Sequence, residues 1–177
     1  MRKLKNRELE RISVENFKIS KKTPITIILD NVRSAINVGS VFRTSDAFRI
    51  EKLFLCGITA FPPNNEIRKS ALGAENVVEW EYRRSTEEVV LALRKDGFKI
   101  LAVEQVEDST YLDYYIYDGS PIALIFGNEI NGVSQSVIDL CDGCLEIQQI
   151  GTKHSMNISV SAGIVMWDLW RKINQKF

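Results

Sequence analysis

The stretch ITIILDNVRSAINVGSVFRTSDAFRIEKLFLC, Ile25 to Cys56, decides the fold class. It opens on a β-rich apolar run, Ile25–Leu29, and closes on a second, Lys52–Cys56, while Val38 to Phe48 between them follows a helical period. Two apolar strands joined through a helix form a parallel pair covered on both faces. The same alternation predicts strands at Val77–Tyr82, Lys99–Val103, Ile122–Phe126 and Cys144–Ile147. Helices are expected at Glu66–Ala71, Thr86–Lys95, Ser134–Leu140 and Met156–Asn174, the second of these opened by the capping-box pair Ser85 and Glu88. The expectation is one α/β domain with a mostly parallel sheet and helices on both faces.

At 177 residues and 45% hydrophobic content the chain fits a single domain. No apolar run is long enough to span a bilayer, and the N-terminus is charged where a signal peptide would be apolar, so a cytoplasmic protein without membrane contact is expected. Net charge is zero but uneven. Met1–Thr23 carries Arg2, Lys3, Lys5, Arg7, Arg11, Lys18, Lys21 and Lys22 against Glu8, Glu10 and Glu15, a net +5 that leaves −5 for the rest. Residues 1–23 therefore read as a basic extension able to meet phosphates, or as a solvated tail with no partner.

Three cysteines do not make a disulfide framework. Cys141 and Cys144 form a CxxC, and with His154, the only histidine, they leave a redox or zinc reading to weigh. The pair ends a helix rather than starting one, so the dipole does not activate a thiol, and burial as small apolar side chains is expected. Tyr111, Tyr114, Tyr115 and Tyr117 could stack on unpaired bases or pack over the sheet; they are assigned no role.

No GxG occurs, which disfavours a dinucleotide site. GNEINGVS, Gly127–Ser134, has the glycine spacing of a phosphate-binding loop, but Val133 stands where that loop needs lysine. Polar residues gather instead past three predicted strands, in DNVRSAINVGSVFRTSDAF (Asp30–Phe48), FGNEINGVS (Phe126–Ser134) and IQQIGTKHSMNISVSAGI (Ile147–Ile164). Ligands of open α/β sheets bind past strand C-termini, so the three loops predict one composite site that needs no metal.

Together these segments resemble the three motifs of the SpoU branch of the SPOUT RNA 2′-O-ribose methyltransferases, in order and over Pro24 to Lys172. The resemblance implies a catalytic domain over 24–177 with a C-terminal trefoil knot, and S-adenosylmethionine bound in that knot. It also implies a homodimer with the site near the subunit interface, and transfer RNA or ribosomal RNA rather than DNA as substrate. Arg43 matches the catalytic arginine, Asn37 and Glu129 the positions that hold the arginine and ribose, and Ser155 and Asn157 the polar positions of motif three. Donor binding is expected chiefly around Gly127, Ile147 and Met156, with Leu124, Ile125 and Ile150 secondary.

Gly127 follows a strand, where the lack of a side chain permits close ligand approach. The last helix carries Ser155, Ser159 and Gly163 at four-residue spacing, which suits close helix packing in a dimer. Gln148 replaces the family's usual proline and Met156 its usual leucine, the former loosening the third loop. Arg43 could exchange a proton or remain cationic and stabilise a developing alkoxide. A SPOUT-fold RNA-binding protein without catalysis is the main alternative.

Overall fold

Along β1 (Thr23–Asp30) the side chains divide by parity, Ile25, Ile27 and Leu29 entering one apolar cluster and Ile28 another. That is the period-two signature of a strand buried on both faces. The computed structural model describes residues 1–5 and 8–174; Arg7 of the basic extension and residues 175–177 lie outside them. β1 is joined by β2 (Ile50–Cys56), β3 (Trp80–Arg83), β4 (Lys99–Val103), β5 (Thr110–Tyr111), β6 (Ile122–Phe126) and β7 (Gly143–Glu146) in one sheet of order β3-β2-β1-β6-β4-β7-β5. Every pairing is parallel.

Helices α2 (Ala35–Ala47), α3 (Asn65–Ala71) and α6 (Ile158–Asn174) cover one face, while α4 (Thr86–Lys95) and α5 (Gln135–Ile138) cover the other. Gly39 lies inside α2 because α3 crosses close to it: an added Cβ would overlap Ser70 Oγ and the Ile67 carbonyl. The N-terminal extension is not wholly a free tail. It holds α1 (Val14–Ile19), capped by Ser13, whose Phe17 is buried in the first cluster.

Several boundaries differ from the sequence expectation. Val77 belongs to no strand, because its N–H closes a 3-10 turn over Ala74–Asn76, and β3 starts only at Trp80. α2 begins three residues early, at Ala35, since Ser34 Oγ accepts from the Asn37 N–H and caps it. α6 begins at Ile158 rather than Met156, where Asn157 Oδ1 accepts from the Ser159 N–H. Ser155 thus stays outside the helix and does not continue a stripe with Ser159 and Gly163. Gly163 faces Thr44 of α2 at 4.0 Å, with room for a methyl group.

The three cysteines are free thiols. Burial pushes Cys56 and Cys141 up to about 12 and raises Cys144, which suits inert apolar side chains. Of the tyrosines, Tyr115 is buried in the core while Tyr114 is largely exposed.

Candidate active site

β1, β6, β4 and β7 all end on one edge of the sheet, and the loops that leave them meet there. The loop after β6 is a tight one. Asn128 and Gly132 exchange both backbone hydrogen bonds, at 3.0 and 2.9 Å, and Asn128 Oδ1 accepts from the N–H groups of Ile130 and Asn131. Gly132 takes the left-handed conformation this turn demands. At Gly127 a Cβ would overlap the backbone of Gly132 and Val133, so the close approach there is of the loop to itself.

The folded loop projects Glu129 onto the start of α2. Its Oε2 accepts from the Arg33 N–H at 2.9 Å and its Oε1 from Ser34 N–H and Asn37 Nδ2, each at 3.1 Å. A carboxylate at a helix N-terminus meets both unpaired N–H groups and the positive end of the dipole. Burial pushes the Glu129 carboxyl up, yet the hydrogen bonds from Arg33, its own N–H, Ser34 and Asn37 outweigh it and hold the pKa below the usual value.

Asn37 carries the connection onward: its Oδ1 accepts from Asn157 Nδ2 at 3.2 Å. Asn157, on the loop after β7, in turn accepts at Oδ1 from Ser159 N–H and Oγ. One chain of polar contacts thus joins the three motifs, from Glu129 through Asn37 to Asn157. A second bridge runs from Asn128 Nδ2 to the Asn31 carbonyl at 2.8 Å.

Beside this chain opens a cleft of about 670 Å³, lined among others by Gly127, Glu129, Ile147, Ser155, Met156 and Asn157. Its walls mix apolar side chains, Val103 and Leu145 included, with polar ones such as Gln105, Asn128 and Ser161, a composition suited to a nucleoside-sized ligand. Other expected residues lie elsewhere. Leu124 and Ile125 are fully buried in β6, one in each apolar cluster, and Ile150 is 97% exposed. None of the three lines the cleft.

Arg43 is exposed on α2, on the same helical face as Ile36 and Ser40, and lies outside the cleft lining of its own chain. Glu104 was missed by the sequence reading. Following β4, it lines the cleft and holds the loop, Oε2 accepting from the Val133 N–H at 3.0 Å and Oε1 from Gln105 N–H at 2.9 Å. The rule that polar residues past strand ends build the site would have found it, had it been applied to β4. Among the described residues no group of three or more acidic, histidine or cysteine side chains is placed to hold a metal.

The family model of the SpoU rRNA Methylase family matches residues 24–167. A Thermus thermophilus tRNA (guanosine(18)-2′-O)-methyltransferase is 26% identical over 168 residues, covering 93% of this chain and 84% of the relative. A Staphylococcus saprophyticus protein named for the TrmH family of tRNA/rRNA methyltransferases is 28% identical over 162 residues, covering 91% of this chain but 64% of the relative. A second staphylococcal relative is covered over 59% of its length, so the chain spans about three-fifths of the staphylococcal relatives. Among solved structures, the A. aeolicus TrmH/SpoU tRNA modifying enzyme superposes with a TM-score of 0.79 at 24% identity, covering 90% of this chain and 79% of that one. The AdoMet-bound rRNA methyltransferase of Sinorhizobium meliloti gives 0.80 at 24%, covering 88% and 59%.

Proposed function

The chain belongs to the SpoU rRNA Methylase family, and from that premise we propose that it transfers a methyl group from S-adenosylmethionine to a ribose 2′-hydroxyl of tRNA or rRNA. The observation that carries the reading is the polar chain Glu129–Asn37–Asn157, which ties three separated motifs together at the rim of one cleft. The names of relatives support it: one methylates the 2′-oxygen of a tRNA guanosine, and a structural neighbour holds AdoMet.

Within the cleft, Ile147 and Met156 would give apolar walls to the donor's adenine, and the backbone after β6 would face its polar edge. When bound, the donor supplies a methyl group on a sulfonium; transfer breaks the sulfur–carbon bond, forms an oxygen–carbon bond and releases the hydroxyl proton. Glu129 and Asn37 fix the loop that borders this space. Ser155 and Asn157 line it and offer hydrogen bonds to a ribose. Arg43 is assigned the role of meeting the developing alkoxide, its planar fork presenting N–H donors to an oxyanion.

The proposal includes a homodimer. Val160, Ile164, Trp167 and Trp170 of α6 are exposed, as is Ile36 of α2, an apolar face that a second copy would cover. Such a dimer places Arg43, which shares the Ile36 face, at the subunit boundary. Calorimetry with AdoMet, followed by transfer of labelled methyl groups to total RNA and mapping of ribose methylation, tests the function. Absence of donor binding at millimolar concentration overturns it.

A further inference from the structure

Glu104, Glu129 and Glu146 all line the donor cleft, while no lysine or arginine does and His154 is the one basic side chain there. None of the three carboxylates forms an ion pair among the described residues. Each is held by neutral donors instead. Glu129 faces the first turn of α2, whose dipole offsets part of its charge. Glu146 ends β7 and Glu104 follows β4, its neighbour in the sheet. Glu104 accepts from the N–H groups of Val133 and Gln105, at 3.0 and 2.9 Å, and its Oε2 lies so close to Gly132 that an added Cβ there would overlap it. Glu146 accepts from the Ser109 hydroxyl. A neutral N–H or O–H orients a carboxylate without cancelling its charge, so the wall built on β4 and β7 is negative.

Such a wall favours a cation. With its sulfonium, amino group and carboxylate, S-adenosylmethionine bears a net positive charge at neutral pH. Transfer breaks the sulfur–methyl bond, forms the bond from that methyl group to the ribose oxygen and gives the hydroxyl proton to solvent. What stays behind is S-adenosylhomocysteine, a thioether with the same adenosine and amino-acid groups and no net charge. We infer that Glu104 and Glu146 make the cleft select by charge, holding the sulfonium donor more tightly than the thioether product, so that the methyl transfer itself loosens the product. Shape distinguishes the two poorly, because they differ by one methyl group. Charge distinguishes them well, because a Coulomb interaction in a partly desolvated cleft acts across its width without contact. The inference rests on the RNA-methyltransferase reading but is tested apart from it.

Calorimetry on the whole chain compares AdoMet, S-adenosylhomocysteine and sinefungin, in which a carbon bearing an ammonium group replaces the sulfonium. At about 50 mM salt AdoMet and sinefungin should each bind at least about tenfold more tightly than S-adenosylhomocysteine, and the gap should narrow at about 500 mM as the charges are screened. Glu146→Gln keeps an acceptor for the Ser109 hydroxyl and loses only the charge. It should narrow the gap at least about threefold, by weakening AdoMet and sinefungin while S-adenosylhomocysteine is unchanged. Glu104→Gln also gives up one of its two loop contacts, so all three ligands should weaken, the two cations most; the ratio separates the lost charge from the loosened loop. S-adenosylhomocysteine binding as tightly as AdoMet to the wild type, or a gap unchanged in both variants, overturns the inference and leaves the methyltransferase reading standing. Binding of none of the three at millimolar concentration overturns both.

Discussion

Asn157 donates from Nδ2 to Oδ1 of Asn37 at 3.2 Å, tying the residue that opens α6 to the first turn of α2. Since Asn37 Nδ2 is at the same time given to Glu129, each end of this amide is committed, and its orientation is fixed by its neighbours.

Asn37→Asp keeps the shape but replaces a donor by a second carboxylate facing Glu129. The variant should lose about 1–3 kcal/mol of stability through like-charge repulsion and a lost donor. Methyl transfer should fall with it. Urea unfolding at neutral pH checks the first effect, and an unchanged midpoint would count against the contact.

Glu129 has a depressed pKa in the folded chain, so its hydrogen bonds stabilise the fold above the unfolded carboxyl value and are lost as pH falls through the lower folded one. Wild-type stability should therefore decline below about pH 4.5 more steeply than that of Glu129→Gln. At pH 7 the glutamine variant should be the weaker of the two. Unfolding series between pH 3 and 7 on both proteins give the comparison.

Gly127→Ala should destabilise by about 1–3 kcal/mol, because its methyl group meets the backbone of Gly132 and Val133 rather than a movable side chain. Donor affinity should be lost along with the loop. Gly151→Ala, whose methyl group meets nothing within 4 Å, is the matched control and should leave both unchanged.

Arg43→Ala should leave folding and donor binding nearly intact while lowering methyl transfer by at least about a hundredfold. Arg43→Lys keeps the charge without the fork: strong rescue supports simple electrostatics, and continued inactivity supports bidentate positioning. Unimpaired single-turnover transfer by the alanine variant removes Arg43 from the mechanism.

Trp167→Glu puts a charge in the exposed apolar face of α6, where Trp167 is 50% exposed and leaves the monomer core untouched. Sedimentation should show a dimer for the wild type and a monomer for the variant at micromolar concentration. A monomeric wild type would refute the proposed assembly.

The central strands were legible because burial on both faces leaves near-continuous apolar runs, as in Ile25–Leu29 and Ile122–Phe126. β5 was not, since a two-residue edge strand, Thr110–Tyr111, leaves no periodicity to read. Helix starts were misjudged by two or three residues where a polar side chain decides them, Ser34 for α2 and Asn157 for α6. At the site, motif matching singled out Glu129, Asn37 and Asn157 but not their mutual contacts, which depend on loops 92 and 120 residues apart. Leu124 and Ile125 lie next to a motif, and their apolar character also follows from their place in the core, away from the cleft lining.

β6 lies between β1 and β4 in the sheet although it follows both in the chain. During synthesis, β1 therefore has β2 on one side and nothing on the other until Ile122–Phe126 has emerged, and β4 waits for the same segment. A nascent or truncated chain ending before Ile122 lacks β7 as well, and so leaves bare one apolar edge of β1 and both edges of β4, which are templates for pairing with other chains. Fragments stopped there should collect in inclusion bodies, and those extended through β6 and its loop should be the first to stay in solution.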